Sequence, residues 1–227
     1  MRFLATLGGF CFATLVAAGA GAPDYLRAAI NNLSSDAPRG WAYTLTTTRE
    51  KETTAERFDP SKPQGGEWTL LSTNGRPPSA GEITRYLRYK SSNTPVAKRG
   101  TFERGELDID SAQLLREDDT HAEFRMRFRG DVSEPVLPHV VLEARVQKST
   151  ASVESCVLRL VEPFSPALGM RMNELTVTMK FTPPRPDLPA LPLEVSSHFR
   201  GRLFLVIPVA EDLRVVFSDF ARLAPAK

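Results

Sequence analysis

The chain has 227 residues, with 29 Lys and Arg against 27 Asp and Glu and a formal charge of +2. So small an excess, with no block of like charge, leaves no electrostatic footprint for nucleic acid. The length suits one all-β domain, and no apolar run after the N-terminus approaches the roughly 20 residues of a membrane-spanning helix.

Met1-Arg2, the apolar run Phe3 to Val16 and the small residues Ala17 to Ala22 have the order of a cleavable secretory signal peptide. Ala18-Gly19-Ala20 is the best cleavage site, which makes 1–20 the leader and 21–227 a single mature domain. Phe10 before Cys11 does not suit a lipid attachment site, which needs a small residue there. A periplasmic protein with peripheral or no membrane contact follows. Cys156 is then the only thiol left, so no internal disulfide can form and the fold must stand on its core.

Leu26, Ala29, Ile30 and Leu33 recur at helical spacing and predict a first helix ending by Pro38-Arg39-Gly40. From Trp41 the period becomes two, which predicts a strand to Thr48, a second over Glu52 to Phe58, and a third over Glu67 to Thr73 after the loop Asp59 to Gly66. Asn74-Gly75 is a strong hairpin signal, yet Pro77-Pro78 and a capping box, Ser79 with Glu82, follow it. This predicts a helix over 80–91 that presents Ile83, Tyr86 and Leu87 on one side, and Asp at 83 or 87 would destabilise the fold. Short strands complete the chain at Ala112 to Glu117, Ala122 to Arg129, Val140 to Lys148, Val153 to Glu162, Asn173 to Thr182, Leu193 to Arg200, Gly201 to Val209 and Leu213 to Ala221. Each has one apolar and one polar face, the mark of an antiparallel sheet. The run Pro183 to Pro192 reads as a stiff loop.

Catalytic chemistry is sparse. His121, His139 and His198 lie far from one another and from cysteine, against metal binding. There is no nucleophile elbow and no phosphate loop, so neither a cofactor nor an enzyme is implied. Glu106, Asp108 and Asp110 alternate and could be imagined as acid and base, but a solvated edge strand accounts for them better. What stands out is apolar sheet face: Phe124, Met126, Phe128, Leu142, Val146, Leu175, Val177, Met179 and Phe181. A long curved antiparallel sheet covers that face only by closing on itself or by being plugged, and a sheet curled around a helix does both. These side chains then either line an apolar ligand cavity or pack a dry core.

The order of leader, short helix, strands, inserted helix and long antiparallel run resembles the periplasmic lipoprotein-carrier superfamily of LolA, LolB and LppX-like proteins. Leu191 to Val195 running on to Phe217-Ser218-Asp219-Phe220 looks like its closing strands, and Glu67 to Leu71 followed by Asn74 to Ser79 is the more distinctive block. The resemblance implies a mainly β fold with a few helices (α+β), an antiparallel sheet of about eleven strands curled into an unclosed half-barrel with one or two helices as plug or lid, around a cavity for acyl chains. It implies lipid or lipidated-protein partners by analogy of fold alone. The rival is an envelope interaction module with a solid core and no ligand.

Overall fold

The computed structural model describes residues 21–33, 40–63, 65–92, 104–131, 134–184, 190–204 and 206–223. The predicted leader and the centre of the Pro-rich stretch, 185–189, lie outside the described residues. The described elements are two α-helices, α1 (Asp24–Asn32) and α2 (Ala80–Ser92), and eleven strands. In chain order the strands are β1 (Trp41–Arg49), β2 (Glu52–Phe58), β3 (Trp68–Thr73), β4 (Leu107–Glu117), β5 (His121–Phe128), β6 (Val140–Gln147), β7 (Ser152–Leu160), β8 (Phe164–Ala167), β9 (Met170–Phe181), β10 (Pro192–Leu203) and β11 (Ile207–Arg222).

All eleven strands join one sheet in the order β3-β2-β1-β11-β10-β9-β7-β6-β5-β4, with β8 on β9, and every pairing is antiparallel. The end strands β3 and β4 do not pair, so the half-barrel is unclosed, and its antiparallel pairing is what the alternating pattern predicts. The β1–β11 pairing closes the chain back on itself, and Leu45 faces Phe217 across it.

Four strand expectations need correction. β4 begins at Leu107, because Leu107 and Asp108 still pair with Phe128 and Arg127 of β5 ahead of an irregular stretch that ends at Gln113. β8 is extra, and its Pro166 hides it from a pattern search. β9 starts at Met170. The three predicted C-terminal strands are two long ones, β10 and β11. Gly201 reads as a boundary but sits mid-strand, where a Cβ would stand 2.6 Å from the Arg171 carbonyl oxygen. The true turn falls at Phe204, with φ of 48°, where no glycine advertises it.

The Asn74-Gly75 signal is honoured in miniature. Both residues take positive φ, 50° and 75°, as a two-residue hairpin turn of this kind demands. Thr73 and Arg76 exchange both backbone hydrogen bonds, at 3.0 and 3.1 Å. The return strand stops after that one bridge, because Pro77 and Pro78 carry no N–H to extend a ladder. Ser79 then caps α2. Its Oγ lies 3.4 Å from the Glu82 N–H, and Glu82 accepts the Ser79 N–H at 2.7 Å. Arg76 grips the same carboxylate with two bonds of 3.0 and 2.7 Å. The turn and the helix start are one hydrogen-bonded unit.

Candidate functional site: two halves of one apolar face

Cross-strand register places both helices on the same face of the sheet. One row runs Thr47, Val215, Val195, Met179, Cys156, Ala144, Phe124 from β1 to β5. Its far half is sealed: Met179, Cys156, Ala144 and Phe124 are 1–2% exposed. Its near half is not, since Val195, Val215 and Thr47 are all only partly buried.

The seal is α1. Leu26, Ala29 and Ile30 are buried among Phe124, Met126, Leu142, Val146, Cys156, Leu158 and Met179. Arg27 holds the helix to β4 through Asp110 at 2.6 Å. Of the nine apolar sheet residues singled out from the sequence, eight (Phe124, Met126, Phe128, Leu142, Val146, Val177, Met179 and Phe181) are buried in this cluster, and Leu175 packs at its margin. Cys156 belongs to the same cluster, and burial pushes its thiol up to about 12, which leaves no thiolate for chemistry near neutral pH.

The other half stands under α2. Tyr43 is the hub of an aromatic set, with ring centroids 5.1 Å from Phe58, 6.1 Å from Trp68, 5.9 Å from Phe217 and 5.9 Å from Phe220. Every member is half-buried, as are Leu45, Leu70, Leu213 and Val215 beside them. Only part of the helix reaches the sheet. The Tyr86 hydroxyl donates to Glu56 Oε2 at 2.7 Å, and Lys90 Nζ meets the same oxygen at 2.8 Å. Lys90 Nζ also lies 3.9 Å above the Trp68 ring. Burial, with the bond to Glu56, holds the Tyr86 phenol well above its ordinary range. Ile83 and Leu87 share that stripe but stay 40% and 46% exposed. The expectation that Asp at either position would destabilise the fold is therefore revised. Such a change places a charge where water already reaches.

Glu106, Asp108 and Asp110, which could be imagined as acid and base, are spread along the turn into, and the start of, the edge strand β4. Glu106 lies in a 3₁₀ turn ahead of β4, and Asp110 is committed to Arg27. Among the described residues no three His, Cys, Asp or Glu side chains converge as metal donors. On the opposite, polar face are two open clefts. One of about 500 Å³ lies between Arg125, Arg127, Glu143, Arg159 and His139, and one of about 450 Å³ lies between Thr176, Thr178, His198, Asp212 and Arg214. Their polar groups are largely spent on each other, as in the ion pair of Arg125 with Glu143 at 2.7 Å and the hydrogen bond of His198 with Asp212 at 2.6 Å. The aromatic hub and the Glu56–Lys90 pair escaped the sequence reading because they come from separate strands. The signal that could have found them is the density of Tyr, Phe and Trp in β1, β2, β3 and β11.

No protein-family model matches the chain, and neither does any curated protein. Among solved structures, a LolA superfamily protein from Nitrosomonas europaea is similar over 92% of this chain and 96% of its own, at 12% identity and a TM-score of 0.38. No helix among the described residues is long and apolar enough to cross a membrane.

Proposed function

We propose that this chain is a non-enzymatic binding protein of the bacterial periplasm that holds a lipid, a lipoprotein acyl chain or another apolar ligand against the α2 half of its sheet. The observation that carries the reading is the unequal sealing of one continuous face: closed under α1, half-open under α2. The ligand lies between α2 and the sheet, on Leu45, Val215, Phe217 and the Tyr43 aromatic set, with Ile83 and Leu87 folding over it. Each methylene taken from water there contributes about 0.8 kcal/mol. Eight of the nine sequence-predicted residues form the sealed floor beside it, with Leu175 at its margin. Leu175, Val177 and Met179 of β9 border it, opposite Phe199, Ser197 and Val195 of β10. Export rests on the leader-like residues 1–20, and the whole of 21–227 acts as one domain.

The test is to extract the protein purified from its native host for lipid mass spectrometry and to titrate the stripped protein with a fluorescent fatty acid. Bound lipid, with fatty-acid binding that Val215→Asp abolishes while melting stays cooperative, supports the reading. Absence of lipid together with failure to bind the fatty acid leaves the solid interaction module instead.

A further inference from the structure

The strands do not all end together. β1 runs out of partners on β11 at Leu213, and β7 runs out of partners on β9 at Thr176. Beyond those points β8, β9, β10 and β11 continue alone. Ile207 to Asp212 of β11 project past β1, about 20 Å at the usual rise per residue. Two hairpin ends share the tip of this finger, tied by the Phe204 N–H donating to the Gly169 carbonyl. The tip is apolar and open: Leu168 is fully exposed, Phe204 and Val206 are 72% and 78% exposed, and Ile207 is 52% exposed. Large side chains this exposed and this close together mark a contact surface rather than scattered surface residues.

A second observation says what the contact is. One step behind the tip, Arg171 of β9 and Arg202 of β10 sit directly opposite each other, and both are exposed. Like charges across a strand pair repel. Among the described residues neither has a carboxylate partner. The acidic groups of the finger lie further back and are engaged there, Asp212 with His198 and Arg200, Glu174 with His198 at 3.6 Å and Glu211 with Arg49. The finger therefore reads, from its end inward, as apolar, then doubly cationic, then neutralised. Hydrocarbon, anionic headgroup and water are met in the same order by anything entering a phospholipid surface.

We propose that this finger docks the protein on anionic phospholipid membranes, with Leu168, Phe204, Val206 and Ile207 entering the acyl boundary and Arg171 and Arg202 at the headgroup phosphates. The site is separate from the apolar face under α2. Docking on membranes stands whether or not a ligand binds there.

The experiment is co-sedimentation of the purified protein with vesicles of phosphatidylglycerol and phosphatidylethanolamine, and with vesicles of phosphatidylcholine. The protein pellets with the anionic vesicles, and less so as salt is raised. Leu168→Ser with Val206→Ser, two exposed positions whose loss leaves the melting temperature unchanged, weakens binding to anionic vesicles by roughly tenfold or more. Arg171→Ser with Arg202→Ser removes the preference for anionic over zwitterionic vesicles. The proposal is overturned if the unaltered protein stays in the supernatant with both vesicles, if the apolar pair of substitutions changes nothing, or if sedimentation velocity shows the tip joining two copies of the chain without lipid.

Discussion

The two halves of the sheet are built from the same strand chemistry but are covered differently. Under α1 a nine-residue helix brings Leu26, Ala29 and Ile30 down onto Phe124, Met126, Leu142 and Met179, and water is excluded. Under α2 a longer helix touches the sheet through a tyrosine and a lysine, and its aliphatic side chains Ile83 and Leu87 remain wet. The first arrangement gains stability from area, about 25 cal/mol for each Å² of apolar surface removed from water. The second is a polar tether over an apolar floor. It keeps a helix in place while the floor residues beneath it, Tyr43, Leu45, Phe58, Trp68 and Phe217, stay only half-buried.

That contrast can be broken most severely from the α1 side. Ile30→Asp puts an unpaired carboxylate into a closed apolar core and should leave no cooperatively folded protein by circular dichroism. A milder probe, Met126→Ala, removes a fully buried side chain. It should cost about 2–5 kcal/mol and lower Tm by roughly 5–15 °C in a thermal melt. On the α2 side the largest effect belongs to Glu56→Gln. It strips Lys90 of its anion and weakens the acceptor of Tyr86, so α2 should detach while the α1 core stays intact. The readouts are a change in Trp68 fluorescence and faster exchange of the α2 amides, with Tm nearly unchanged.

Acid sharpens the same point more gently. Arg76, with the Ser79 cap, holds the Glu82 carboxyl down to about 2 from an ordinary 4.5. A depressed folded value stabilises the folded form above the ordinary value, and that stabilisation is lost as pH falls from about 4.5 toward 2. The first turn of α2 should fray across that window, seen as amide exchange, and Arg76→Ala should start the fraying at higher pH. The smallest effect is expected for Leu87→Ala, well under ~1 kcal/mol, because the side chain is already half in water.

Much of this fold can be read from residue order. The period-two runs from Trp41 and from Ala122 became β1 and β5, and the Ser79–Glu82 box begins α2 as its spacing says. Where the reading failed, the cause was backbone chemistry that composition hides. Phe204 turns the chain at positive φ without a glycine, and Gly201, the residue that looks like a turn, is there to let the Arg171 carbonyl approach. The exposed finger was lost with that turn. For the site, alternation identified which side chains face inward, Phe124 and Met179 among them. It could not say which of them a helix would cover. That depends on register across eleven strands: Val215 and Met179 sit in one row, separated only by Val195, yet on opposite sides of the seal.

The central claim is that the α2 half opens to a ligand while the α1 half does not. Native-state hydrogen exchange of the lipid-stripped protein, with and without a saturating fatty acid, tests it most directly. The account predicts fast exchange in α2 and slow exchange in α1 without ligand, with protection on ligand addition confined to α2, β1, β2, β3 and β11. Equal protection of the two helices without ligand, or protection that appears at α1 and β5 to β7 on ligand addition, would contradict it.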